Sequence, residues 1–243
     1  SAKEGLALNN GATFTAAIGA LSVYETDYLL HVAEIATALS MEALCARTEP
    51  LDERIHQARH QEGQIITARN ISHLLKGSNF INSDSRVQDA YSIRCAPQVH
   101  GAVRDTVQHV KKIVENEINA ATDNPLIFEP NDALSGGNFH GEPIGMAMDF
   151  LAIALSELGA ISERRTSRLI DAKTNFGLPP MLVADEEEAG LNSGLMMPHY
   201  TATSLVLENQ TLATPDSIRS LPTSAGQEDH NANAMTAARH TYE

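Results

Sequence analysis

Positive charge is scarce in this chain. Lys and Arg total 17 against 31 Asp and Glu, for a formal net charge of −14. Nucleic acids are bound through basic surfaces, and no Lys/Arg cluster offsets the deficit, so that class is excluded. Anionic membranes would repel such a chain as well. Cysteine is nearly absent, with Cys45 and Cys95 alone. Two cysteines make no metal pattern and fit a reducing compartment. There is no signal-peptide pattern and no apolar run of membrane-spanning length, which gives cytoplasm as the expected location. No segment alternates apolar and polar residues as a half-buried strand does. Internal repeats and low-complexity tracts are absent too.

What remains is helical pattern. From Thr13 to about Arg47 there is no proline, and Phe14, Ile18, Leu21, Leu29, Val32, Ile35 and Leu39 recur mostly at three- and four-residue steps, the mark of a long amphipathic helix. A second helix is expected over 52–76 with Gly77 as its stop, followed by an irregular stretch. A third starts near Pro97 and carries Val99, Val103, Val107, Val110 and Val114 on one face to about Ala121. A glycine-, asparagine- and proline-rich loop follows. Pro143 opens a fourth long helix to about Asp171, whose SERRTSR run suits the dipole of a helix C-terminus. Shorter helices are expected over 199–213 and 226–242. The fold class is therefore all-α, a bundle of long antiparallel helices with active-site loops between them. With 42% hydrophobic residues in 243, residues 1–243 can form a single helical domain with a sizeable core. The chain opens without an initiator methionine and closes inside a helical pattern, so it is expected to be the core part of a longer polypeptide.

Several short signals carry little. His56 and His60 sit at i, i+4 but lack HExxH, and a solvated helix face accounts for them. His140-x-Glu142 is half of a zinc deaminase signature without its P-C-x-x-C; His140 and His230 are expected to be structural residues. The SGGNFHG loop has no Gly-Lys-Ser/Thr after it. Asp185-Glu186-Glu187-Glu188 reads as a solvated loop and helix start. No nucleophile elbow is present. No metal site is expected.

Five polar stretches border the helices: LALNNG (6–11), QDAYSIRCAPQV (88–99), ATDNPL (121–126), SGGNFHGEP (135–143) and SLPTSAGQEDH (220–230). In this order, from Lys3 to His230, they resemble the aromatic amino-acid ammonia-lyase family, and its histidine-acting branch most closely. The resemblance implies a homotetramer of long helices with active sites built from several subunits. It also implies non-oxidative loss of ammonia from an α-amino acid, histidine favoured, giving urocanate in that case. The implied cofactor is methylidene-imidazolone, formed by cyclisation of an Ala-Ser-Gly tripeptide. Removing a weakly acidic β-proton needs such an electrophile with a base close by.

The resemblance assigns the substrate carboxylate to Arg94, a task that suits a planar guanidinium. Tyr91 would act at the electrophile or amino group. Asn10 would hydrogen-bond the imidazolone oxygen, an oxyanion-type role. Phe139 would pack on the prosthetic ring or substrate, and Gln88 would be a polar support. Gln227 and Glu228 would line the side-chain end of the pocket, where a carboxylate can meet an imidazole. Phenylalanine and tyrosine lyases, a related aminomutase, and a silent binding or assembly protein on the same scaffold stay open.

Ala-Ser-Gly is not in the chain; NSGL, LSGG and SAGQ are the nearest strings. Asn10-Gly11-Ala12 stands where the family has Asn-Gly-Thr, and NANAM follows QEDH where a serine-methionine-glycine-like run is usual, a change expected to alter a helix start near the pocket. A separate N-terminal segment would have to supply the prosthetic group. Long apolar stripes also lead one to expect association with further copies.

Overall fold

The computed structural model describes residues 3–83, 86–129 and 132–243, with the Glu186 side chain excluded. Asp84 and Ser85 of the irregular stretch, and Pro130 and Asn131 of the loop, thus lie outside the described residues. In chain order the elements are α1 (Glu4–Ala7), α2 (Thr13–Ala43), α3 (Glu53–Gln57), α4 (Glu62–Leu74), α5 (Tyr91–Arg94), α6 (Ala96–Glu117), β1 (Leu126–Glu129), β2 (Asp132–Leu134), α7 (Glu142–Ile170), α8 (Met196–Leu212) and α9 (Ala234–Tyr242), with short 3-10 turns between them. The all-α expectation holds, and α2, α6 and α7 lie within a few residues of where the periodicity put them.

Four local differences have physical causes. The second helix is interrupted: His60 adopts φ 60°, and α4 restarts at Glu62 without a local side-chain cap. Its N-terminus is capped from α6 instead, where Asp105 Oδ1 accepts from Gly63 N–H at 2.8 Å. The small antiparallel ribbon β1–β2 leaves no strand pattern in the sequence because its residues are mostly exposed and too few to alternate. The last helix starts eight residues late, at Ala234, because Ser224, Ala225, Gly226 and Asn233 all have positive φ. The NANAM run is thus where that helix begins. The α2 stripe points outward: Phe14, Leu21, Leu29, Val32, Ile35 and Leu39 are exposed, whereas Ala16, Val23, Leu30, Ala38 and Met41 are buried. Small inward side chains let helices approach closely, and the large ones are left outside.

The chain divides into two compact units. The first comprises the described residues within 1–27, 106–153 and 211–243. Its core joins Val107, Val110 and Val114 of α6, Ile144, Met148 and Leu151 of α7, and Ala237 and Ala238 of α9. Asp149 of α7 is buried and accepts backbone N–H bonds from Asp216 at 3.0 Å and Ser217 at 2.9 Å, fixing the turn that leads into the 220–233 segment. The second unit comprises the described residues within 28–105 and 154–210. Its core cluster includes Ala38, Met41, Leu44, Leu51, Ile71, Leu75, Ile93 and Ala96.

Helix α7 is by length and composition apolar enough to cross a membrane, with a mean hydropathy of 1.7 over its best window, of which 56% is buried. That corrects the reading that no such run exists; the buried part of its apolar surface packs into the protein. Cys45 and Cys95 are both free thiols.

Candidate functional site

The candidate residues fall into two groups, one in each unit. In the second unit the QDAYSIR stretch is pinned by three of its members and presents the rest. Asp89 is buried, accepts Arg47 N–H at 2.7 Å and pairs with Arg86 at 3.3 Å. Ile93 is 2% exposed and belongs to the core cluster. The Ser92 carbonyl accepts from Arg165 Nη1 at 3.2 Å. Between these anchors Gln88 and Tyr91 face outward, Tyr91 being 71% exposed. The single helical turn α5 puts Tyr91 and Arg94 three residues apart on one side, so the guanidinium carbon stands 4.9 Å from the Tyr91 ring centroid. Arg94 has no carboxylate partner among the described residues, and its Nε is enclosed and unbonded. A planar cation held half-buried and without an anion is chemically ready for one.

Behind this turn lies a buried pair that the sequence pattern does not reveal. Arg165 belongs to the SERRTSR run, which reads as a basic helix end, yet it is 2% exposed. Both its Nη atoms face Nε2 of the fully buried His100 at 3.4 Å. Burial first, then Arg165 and Arg104, push the His100 imidazole down to about 3. Burial alone pulls the Arg165 guanidinium down to about 10. A cation facing Nε2 requires that nitrogen to accept, so the His100 proton sits on Nδ1, which has no partner among the described residues. Nothing in a helical Arg-Arg pair distinguishes the buried arginine from the exposed one.

In the first unit a cavity of about 840 Å³ is lined by Phe139, Gln227 and Glu228 together with the start of α2 and the 228–236 segment. The left-handed residues 224–226 turn the chain back on itself, so that Thr223 and Glu228 bridge through backbone bonds of 2.8 and 3.3 Å. Glu228 is therefore outside any helix, and its Oε2 accepts from the Thr223 hydroxyl at 2.6 Å. That bond, followed by one from Ser224, holds its carboxyl below the ordinary range. Phe139 is 41% exposed, on the loop before α7. His140 and His230 stack on the same wall with ring centroids 5.4 Å apart.

Asn10 belongs to the first unit but is not part of that lining. Its amide donates to Asp123 Oδ1 at 2.9 Å and to the Asn124 carbonyl at 3.4 Å. Lys3 pairs with the other Asp123 oxygen, and the Lys3 and Asn10 hydrogen bonds lower the Asp123 carboxyl. The ATDNPL stretch is thus the partner of LALNNG, a link concealed by a separation of 113 positions along the chain. His56 is not on a solvated face: it is fully buried, bonded to the Pro50 carbonyl at 3.0 Å and to Gln64 at 2.9 Å, whereas His60 is exposed.

A family model described as aromatic amino acid lyase matches residues 1–243. Histidine ammonia-lyase of Caldanaerobacter subterraneus subsp. tengcongensis is 49% identical over 242 residues, covering 98% of this chain and 47% of that protein. The Treponema denticola histidine ammonia-lyase is 50% identical over 241 residues, again 98% and 47%. Among solved structures, histidine ammonia-lyase from Trypanosoma cruzi superposes with a TM-score of 0.89 at 44% identity, covering 99% of this chain and 45% of that one. Tyrosine aminomutase from Streptomyces globisporus gives 0.92 at 39% identity, covering 98% and 49%. The chain spans about half the length of the curated relatives it matches.

Proposed function

The chain belongs to the aromatic amino acid lyase family, and on that premise we propose that it provides the helical core and part of each active site of an enzyme that eliminates ammonia from L-histidine. The observation that carries this reading is the half-buried Arg94, without an anionic partner among the described residues, stacked beside Tyr91 on a turn held by Ile93 and Arg165. Arg94 binds the substrate carboxylate in two-pronged fashion. Tyr91, adjacent to it, acts at the electrophile or the amino group. Glu228, kept ionised by Thr223 and Ser224, favours an imidazole side chain over a phenyl or phenol ring.

The family is known to use a methylidene-imidazolone group. When bound it supplies an electrophile that withdraws electrons from the substrate and so permits loss of a poorly acidic proton. The residues present fit it in donor chemistry: Asn10 Nδ2, bonded to Asp123 at 2.9 Å and only loosely to the Asn124 carbonyl at 3.4 Å, would supply an amide donor to its carbonyl oxygen. The tripeptide that makes the group is absent from this sequence, so a further segment supplies it. The exposed ridge of Phe14, Leu21, Tyr24, Tyr28 and Leu29 on α2 supports association with other chains, consistent with a homotetramer, and the cytoplasm remains the expected location.

The test is reconstitution. The chain is assembled with an N-terminal segment carrying Ala-Ser-Gly, given histidine, phenylalanine or tyrosine, and followed by ammonia release and ultraviolet absorbance of the product. Histidine is expected to be turned over and Arg94→Lys to lower kcat/KM about 100-fold, the equivalent of about 3 kcal/mol for a lost bidentate contact. Preference for tyrosine or phenylalanine would refute the substrate assignment. An assembled complex with no ammonia release from any of the three would refute the enzyme.

A further inference from the structure

We propose that His140, Glu142 and His230 form a binding site for one zinc-class divalent cation, closing the 220–233 segment onto the start of α7. One nitrogen or oxygen ligand from each of the three residues can be chosen so that all lie within 4.8 Å of one another. The His140 Nε2 and His230 Nδ1 atoms are 3.3 Å apart. Donors in a tetrahedral site with metal bonds of about 2.0 Å are separated by about 3.3 Å, so the two nitrogens already stand at the required spacing.

Two further observations point to a cation. The Glu142 Oε2 atom is closed off from solvent and accepts no hydrogen bond among the described residues. A carboxylate oxygen kept from water without a donor is costly unless a positive charge meets it. Secondly, the two imidazoles stack at an interplanar angle of 29° with their nitrogens facing each other. Two neutral rings can share one proton in that arrangement, but a shared metal uses both lone pairs. The juxtaposition is built by packing. A Cβ on Gly141 would come within 2.9 Å of the Ala234 Cβ, so glycine there lets the α9 start approach, which carries His230 over His140.

Without metal, His140 Nδ1 accepts from Glu142 N–H at 3.3 Å and its Nε2 proton is directed at the His230 carbonyl at 3.2 Å. Metal binding moves the ring proton to Nδ1 and gives up these two long hydrogen bonds, a small loss beside three coordinate bonds. Two imidazoles and a carboxylate suit zinc, with the fourth position open to water. The site stands on the residues alone and does not depend on the lyase reading, although it shares a cavity wall with Gln227 and Glu228.

The experiment is calorimetric titration of zinc into the full, tag-free chain after chelation, with the visible spectrum of the cobalt-loaded chain as a second readout. One equivalent is expected, with a four-coordinate cobalt spectrum. His140→Ala and His230→Ala should each weaken binding about 100-fold or more, and Glu142→Gln about 10-fold. His109→Ala, an exposed histidine elsewhere, should change nothing. His230 lies in an exposed loop, so its variant keeps the fold and reads the site even if His140→Ala does not fold. One equivalent retained by the His230→Ala chain, or no uptake by the unaltered chain, would overturn the proposal.

Discussion

Replacing His100 with Gln should flatten the acid side of this protein's stability curve. The imidazole is fully buried against Arg165, and its pKa falls from the ordinary 6.5 to about 3. A group that binds its proton less well when folded leaves the unfolded chain holding more protons between those two values. Stability contributed by neutral His100 is therefore fully present above the unfolded pKa and is lost as pH falls towards the folded one. At about 1.4 kcal/mol per pH unit, moving from about pH 7.5 to about pH 5 costs about 2 kcal/mol through this residue alone. Glutamine keeps an acceptor for the Arg165 guanidinium but cannot be protonated. Urea unfolding of both proteins at the two pH values measures the difference, and His56, which burial also lowers, contributes equally to each. The variant should lose about 2 kcal/mol less than the parent. Equal losses would mean that His100 accepts a proton without penalty, and that the buried cation behind the Tyr91–Arg94 turn is not where the geometry puts it.

Other substitutions test the packing that positions the two groups of residues. A Cβ on Gly101 would stand 2.5 Å from Gln64 Cα where α6 meets α4. Gly101→Ala should thus lower stability by about 1–3 kcal/mol by urea midpoint, despite the helix propensity gained. Asp149→Ala strips two backbone N–H groups of their acceptor and should cost about 2–4 kcal/mol. Asp149→Asn, which keeps an oxygen there, should cost less. In the reconstituted enzyme Tyr91→Phe should depress kcat far more than KM if the hydroxyl acts in the chemical step, and a change confined to KM would make it a binding residue only.

Much of this protein was legible in its sequence, because the features concerned are local. Helical period is a property of neighbouring residues, so α2, α6 and α7 could be bounded from Thr13, Pro97 and Pro143 alone. The YSIR and QEDH motifs carried their family resemblance in consecutive letters, whatever surrounds them. Tertiary structure decided which face of each helix was used. The large stripe of α2 lies outside because small residues such as Ala16 and Ala38 permit closer helix contact, and periodicity cannot tell an inward stripe from an outward one. It decided that Arg165 is buried while Arg164 is 61% exposed, since adjacent positions on a helix point about 100° apart. It joined Asn10 to Asp123 and stacked His140 on His230 through contacts across about a hundred residues of chain. Those pairings come from packing, where distance along the chain carries no information about distance in space.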